Sequence, residues 1–102
     1  MSTANVKIDK KIKQKIEEPK KYKVIVLNDN STPMDFVVNL LSEIFKHTQS
    51  SAEEIMMTIH TTGSGVAGIY NFEIAEVKAV EATQLARASG YPLQLKIEEE
   101  WV

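Results

Sequence analysis

Five small polar residues in a row, Asn28-Asp29-Asn30-Ser31-Thr32, interrupt this chain directly after an apolar run, and its only imidazoles are His47 and His60. As a catalytic set these could supply His60 as base, Asp29 as the group that orients it, and Ser31 or Thr32 as nucleophile. No nucleophile elbow or other catalytic motif surrounds them. As a metal site they fail on spacing, because the two histidines sit on different helices and neither opens an H-x-x-E or H-x-x-x-H pattern. The chain has no cysteine, which removes disulfides, thiolate catalysis and thiolate zinc sites and fits a reducing cytoplasm. Gly63-Ser64-Gly65-Val66-Ala67-Gly68 spells the dinucleotide fingerprint G-x-G-x-x-G. That fingerprint needs a strand before it and a helix after it; here a helix precedes and a strand follows, so turn and strand glycines explain it. The sequence therefore assigns no catalytic residue, no metal and no cofactor.

The elements that must position these groups are legible from periodicity and punctuation. Tyr22–Leu27 reads as a strand that ends at Asn28. A helix from Thr32 to about Lys46 is expected next, with Thr32 as N-cap, Pro33 in the first helical position and Asp35 in the first turn. Val37, Leu40, Leu41, Ile44 and Phe45 share its inner face, and His47 suits the negative end of its dipole. So short a connection braces Asn28 and Asp29 between two regular elements, which favours a binding site over a loose loop. Ser51-Ala52-Glu53-Glu54 reads as a capping box. The helix it opens carries Ala52, Ile55, Met56 and Ile59 inward and ends near Thr61, with Gly63 in the left-handed position. His60 lies four residues after Met56, on the same edge.

A second strand, Gly65–Tyr70, leads to a helix capped by Asn71 and stopped by Gly90, with Phe72, Ile74, Ala75, Ala79, Ala82, Leu85 and Ala86 on one face. Leu93–Glu98 alternates as a third strand. The order β-α-α-β-α-β predicts an α+β fold, a three-stranded antiparallel sheet covered by three helices.

The 102 residues suit one domain, and a hydrophobic share of 43% supports a core without staples. Residues 1–23 hold eight lysines against three acids, a net +5, whereas the remainder holds four bases against eleven acids, a net −7. A basic arm over residues 1–20, read as flexible, thus precedes an acidic core domain over 21–102. The acidic body argues against nucleic acid as a partner. No apolar run approaches the roughly 20 residues of a membrane span, so neither a membrane partner nor an anchor is expected. Ile8, Ile12 and Ile16 recur every four residues within the arm.

The block Asn28-Asp29-Asn30-Ser31-Thr32-Pro33-Met34-Asp35-Phe36-Val37 resembles the N-D-D-x-T-P-M-E-F-V block of the ClpS family, the N-end-rule adaptors of bacterial Clp proteases. Met56, Ile59 and His60 followed by Gly63 and Gly68-Ile69-Tyr70 form a second matching block; Ala75–Lys78 and Tyr91-Pro92-Leu93 extend the resemblance. The likeness runs from Tyr22 to Ile97. It implies a cytoplasmic, monomeric adaptor that is not an enzyme. Such an adaptor binds N-degron-bearing proteins and peptides through a first residue of the Leu, Phe, Tyr or Trp type. It then delivers them to the N-terminal domain of a ClpA- or ClpC-type AAA+ unfoldase. By position, Asn28, Asp29 and His60 would hold the α-amino group. Asn30, Thr32, Met34, Met56, Ile59 and Leu93 would line the pocket and its mouth, with Met34 excluding β-branched first residues. Glu73, Glu76 and Lys78 would form the unfoldase-docking face. The chemistry is consistent: an α-ammonium has three donors and needs acceptors in different directions, which an amide oxygen, a carboxylate and an unprotonated imidazole provide.

Departures from the family pattern are Asn30 in place of a second acid, Ser64 in place of a basic residue, and the acidic tail Glu98-Glu99-Glu100 before Trp101. The alternative with the same element order is an interaction module of the ribosomal-stalk type, without an N-degron pocket.

Overall fold

A computed structural model describes residues 20–100 of the chain. The basic arm lies outside the described residues except for Lys20, as do Trp101 and Val102. Six elements follow in the expected order: β1 (Lys21–Leu27), α1 (Met34–Glu43), α2 (Gln49–Thr62), β2 (Ser64–Tyr70), α3 (Phe72–Ala88) and β3 (Gln94–Glu100). The sheet runs β2-β1-β3, with both pairings antiparallel.

β1 is the central strand, and its sequence shows why. Val24 and Val26 are fully buried under the helices while Ile25, pointing to the other face, is also buried. On the β3 side, Val24 pairs with Ile97 and Val26 with Leu95, so the alternation of β3 falls in register with the core. The acidic tail is accounted for by the same pairing. Lys21 lies opposite Glu100 and Lys23 opposite Glu98, and the Lys20 ammonium is 3.3 Å from a Glu99 carboxylate oxygen. Opposite charges across a strand pair favour this register.

Helix packing follows side-chain size. Ala75, Ala82 and Ala86 of α3 are all fully buried; with only methyl groups between them, α3 and the sheet approach closely. Gly65 meets a similar demand, since a Cβ there would lie 2.8 Å from Ile59 Cγ1 and push β2 away from α2. Leu40, Leu41, Ile59 and Leu93 fill the space between α1, α2 and the sheet.

Four expectations change. Thr32 does not cap α1: the helix begins at Met34 with Pro33 in the cap position and no side-chain cap. Asp29, three residues upstream, captures both the N–H and the hydroxyl of Thr32. Ser51 does not open α2, because Thr48 offers the same chemistry one turn earlier, accepting the Ser51 N–H at 3.2 Å. His47 is not a dipole partner. Its Nε2–H donates to the Ala67 carbonyl at 2.5 Å while Nδ1 and the Ser51 hydroxyl share a hydrogen bond of 3.2 Å, tying the α1–α2 junction to β2. On α3, Phe72 and Ile74 are exposed rather than inward. Asn71 does cap α3 through the Ile74 N–H, and Gly63 (φ 97°) does close α2 in the left-handed conformation.

Candidate functional site

A cavity of about 310 Å³ opens between the turn that follows β1 and the C-terminal half of α2. All nine residues assigned by resemblance to the α-amino site and the pocket line it: Asn28, Asp29, Asn30, Thr32 and Met34 from the turn and the start of α1, Met56, Ile59 and His60 from α2, and Leu93 before β3. Glu73, Glu76 and Lys78 lie elsewhere, on α3.

The turn is built around one carboxylate. Asp29 Oδ1 accepts the N–H groups of Ser31 at 2.8 Å and Thr32 at 2.7 Å, and Oδ2 accepts the Thr32 hydroxyl at 2.8 Å. This is the local hydrogen bonding that aspartate supplies in tight turns. Partial burial pushes the Asp29 carboxyl up. The Thr32 and Ser31 N–H groups, the Thr32 hydroxyl and the more distant Arg87 guanidinium outweigh it and hold the pKa below its ordinary 3.8. Asp29 therefore remains a carboxylate, with Oδ2 holding one partner and room for another acceptor contact.

The two walls are joined through the backbone. Asn28 N–H donates to the Gly63 carbonyl at 2.9 Å, fixing the end of β1 against the end of α2. Gly63 in turn bonds Ile59 O, so its left-handed conformation serves both the helix terminus and the site. With the backbone thus occupied, the side chains of Asn28, Asn30 and His60 make no hydrogen bond to another described residue. They stand as available acceptors at the cavity mouth.

Below the mouth the lining is apolar and firmly set. Met56, Ile59, Leu93 and Val37 are buried, whereas Met34 at the rim is 41% exposed. The Leu93 carbonyl accepts from Arg87 Nη1 at 2.8 Å, which pins the segment entering β3 to α3. A buried base beneath a half-exposed thioether suits apolar groups of varied outline.

Leu27, Ser31, Pro33 and Val37 also line the cavity and were not assigned to it from sequence. Val37 carried a usable signal, being one helical turn after Met34. The others are backbone neighbours whose exposure to the cavity depends on how the turn closes.

On α3, the Lys78 ammonium donates to the Ile44 carbonyl at 2.7 Å and so covers the C-terminal end of α1. Glu73 and Glu76 are exposed. Among the described residues no three His, Asp or Glu side chains gather as a metal would require, and no helix is long and apolar enough to cross a membrane.

Comparison with known proteins places this arrangement. Residues 17–96 match the family model described as ATP-dependent Clp protease adaptor protein ClpS. An adapter protein ClpS of Bdellovibrio bacteriovorus is 50% identical over 86 residues, covering 84% of this chain and 75% of the relative. One from Shewanella pealeana is 42% identical over 98 residues, covering 95% and 96%. Among solved structures, Agrobacterium tumefaciens ClpS2 bound to L-phenylalaninamide superposes with a TM-score of 0.79 at 42% identity, covering 81% of this chain and 100% of that one.

Proposed function

The chain belongs to the ClpS family of Clp protease adaptor proteins, and from that premise we propose that its cavity receives the first residue of a substrate protein. The observation that carries this reading is the layering of the cavity. Acceptors on Asn28 and His60, which bond to no other described residue, stand at the mouth with the Asp29 carboxylate and the Met34 rim, and Met56, Ile59 and Leu93 lie beneath. A free α-ammonium fits the upper layer and a large apolar side chain the lower. L-phenylalaninamide, the compound held by the Agrobacterium relative, has both features and a capped carboxyl group.

The energies suffice. Burying a Leu or Phe side chain contributes about 1.5–3 kcal/mol, and each charge-assisted hydrogen bond adds about 1.5–3 kcal/mol. After the cost of ordering the peptide, a micromolar dissociation constant, about −8 kcal/mol, is within reach. Ala gains too little from burial, and a β-branched Val or Ile brings a methyl group against Met34. The preferred first residues are therefore Leu, Phe, Tyr and Trp.

The captured protein then passes to a Clp AAA+ unfoldase. Glu73 and Glu76, exposed on α3 and outside the cavity lining, are the residues assigned to docking; Lys78 contributes what donors remain beyond its bond to Ile44. The unfoldase is of the ClpA or ClpC type and is met through its N-terminal domain. The adaptor works as a cytoplasmic monomer with a core over 21–102, and its task is binding rather than catalysis. Fluorescence polarisation tests the reading: peptides beginning with Leu or Phe should bind and the same peptides beginning with Met or Ala should not. Equal binding of all four would favour the ribosomal-stalk type of interaction module.

A further inference from the structure

The outer face of α3 combines features that none of its neighbours satisfies. Ile74, Val77 and Val80 follow one another at intervals of three and are 45%, 56% and 49% exposed. They form an apolar ridge along the helix. Glu73, Glu76 and Glu81 flank that ridge, all exposed, and none makes an ion pair with another described residue. The two basic residues of α3 are turned to other work, Lys78 on the Ile44 carbonyl and Arg87 on the carbonyls of Tyr91 and Leu93. Beside the ridge, a hollow of about 240 Å³ is walled by Ala79, Val80 and Thr83 of α3 and by Ile97 of β3. A monomer seldom leaves so continuous an apolar strip without an occupant.

We propose that the occupant is the chain's own N-terminal arm, residues 1–19, whose isoleucines pack on the α3 ridge and whose lysines face its glutamates. The point of departure supports this. The Lys20 ammonium sits on Glu99 and Tyr22 meets Phe72 edge-to-face with ring centroids 5.1 Å apart, so the arm leaves the fold beside the start of α3 and the end of β3. Ile97, at the hollow, is two residues from Glu99, about 7 Å along the strand. Ile16 is four residues before Lys20, an extended reach of about 13 Å. Ile8, Ile12 and Ile16 recur every four residues. The ridge from Ile74 to Val80 spans about 9 Å. Lys7, Lys10, Lys11, Lys13 and Lys15 surround the isoleucines, matching the sign of the acidic flanks.

The docking does not depend on the pocket.

The chain has no cysteine, so a nitroxide attached through Gln14→Cys reports from one site in the full-length protein. The expected result is selective broadening of the Val77, Val80, Thr83 and Ile97 amide signals, reduced by added salt because the charges are solvent-exposed. Adding Ile12→Ser and Ile16→Ser to the tagged arm should restore those signals without touching the folded core. Val80→Glu should do the same from the other side. Uniform or absent broadening would overturn the proposal, as would broadening that survives the arm substitutions. Broadening seen when tagged unlabelled protein is mixed with untagged isotope-labelled protein would assign the face to a second copy, and would overturn it too. Peptide binding at the cavity is measured separately and is expected to be unchanged in all these variants.

Discussion

The two walls of the cavity reach a similar end by opposite means. On the turn side, Asp29 is engaged three times over, by Ser31 N–H, Thr32 N–H and the Thr32 hydroxyl. On the α2 side, His60 is an exposed residue in the last helical turn that makes no hydrogen bond to a described residue. The turn has no regular structure to hold its shape, so a site residue must also be its brace. The helix is held by its own backbone, by buried Met56 and Ile59 and by Gly63, leaving His60 free for a ligand alone. Asp29 on the first wall thus couples stability to binding, and His60 on the second separates them.

Asp29→Ala tests that coupling most severely. It removes three hydrogen bonds to a charged acceptor and an acceptor for the ammonium. Thermal unfolding should shift down by about 2–3 kcal/mol of stability, and affinity for a Phe-first peptide should fall by about a hundredfold or more. Loss of affinity with no change in unfolding would mean that the turn keeps its shape without Asp29.

His60→Ala should show the other behaviour. One acceptor is lost, worth about 1.5 kcal/mol or about tenfold in affinity, while the unfolding midpoint stays in place. Unchanged affinity in His60→Ala would remove His60 from the ammonium site.

Met34, exposed at the rim between the walls, should act on selectivity alone. Met34→Ala should raise the affinity of Val-first and Ile-first peptides several-fold, with Leu-first binding little changed and stability altered by under about 0.5 kcal/mol. Continued rejection of Val would place the gate elsewhere.

The smallest effect is at acid pH. Asp29 has a folded pKa below the 3.8 of the unfolded chain. Its contribution to stability is therefore complete above 3.8 and is lost as pH falls through the lower folded value. Comparing acid unfolding of the parent chain with Asp29→Asn should show a shallower loss in the variant. Parallel curves would mean that another carboxylate governs the acid limb.

Element order, strand positions and the Gly63 and Asn71 signals were legible because each rests on a local preference: alternation, a capping side chain, or a glycine able to take positive φ. Errors arose where two local preferences competed. Thr32 and Asp29 both satisfy turn chemistry, and the carboxylate, the stronger acceptor, takes the threonine that would otherwise cap α1. Thr48 and Ser51 compete for the start of α2, and the longer helix wins. His47 reads from sequence as a helix-end residue, and its real partner is missed because Ala67 is distant in the chain. The nine cavity residues came from resemblance to a family pattern. Periodicity alone placed Ile59 and Met56 in the core and left His60 an ordinary helix end. What no local rule could supply was the Asn28–Gly63 backbone bond that brings the two walls together.

The central claim is that this cavity recognises a free α-ammonium above an apolar side chain, and N-terminal acetylation tests it directly. Two fluorescent peptides of identical sequence beginning with Phe, one acetylated and one not, would be titrated with the full chain in the same buffer. The account predicts micromolar binding of the free peptide and loss of at least about a hundredfold on acetylation, since two or more charge-assisted bonds disappear together. Equal affinity for both peptides would contradict it.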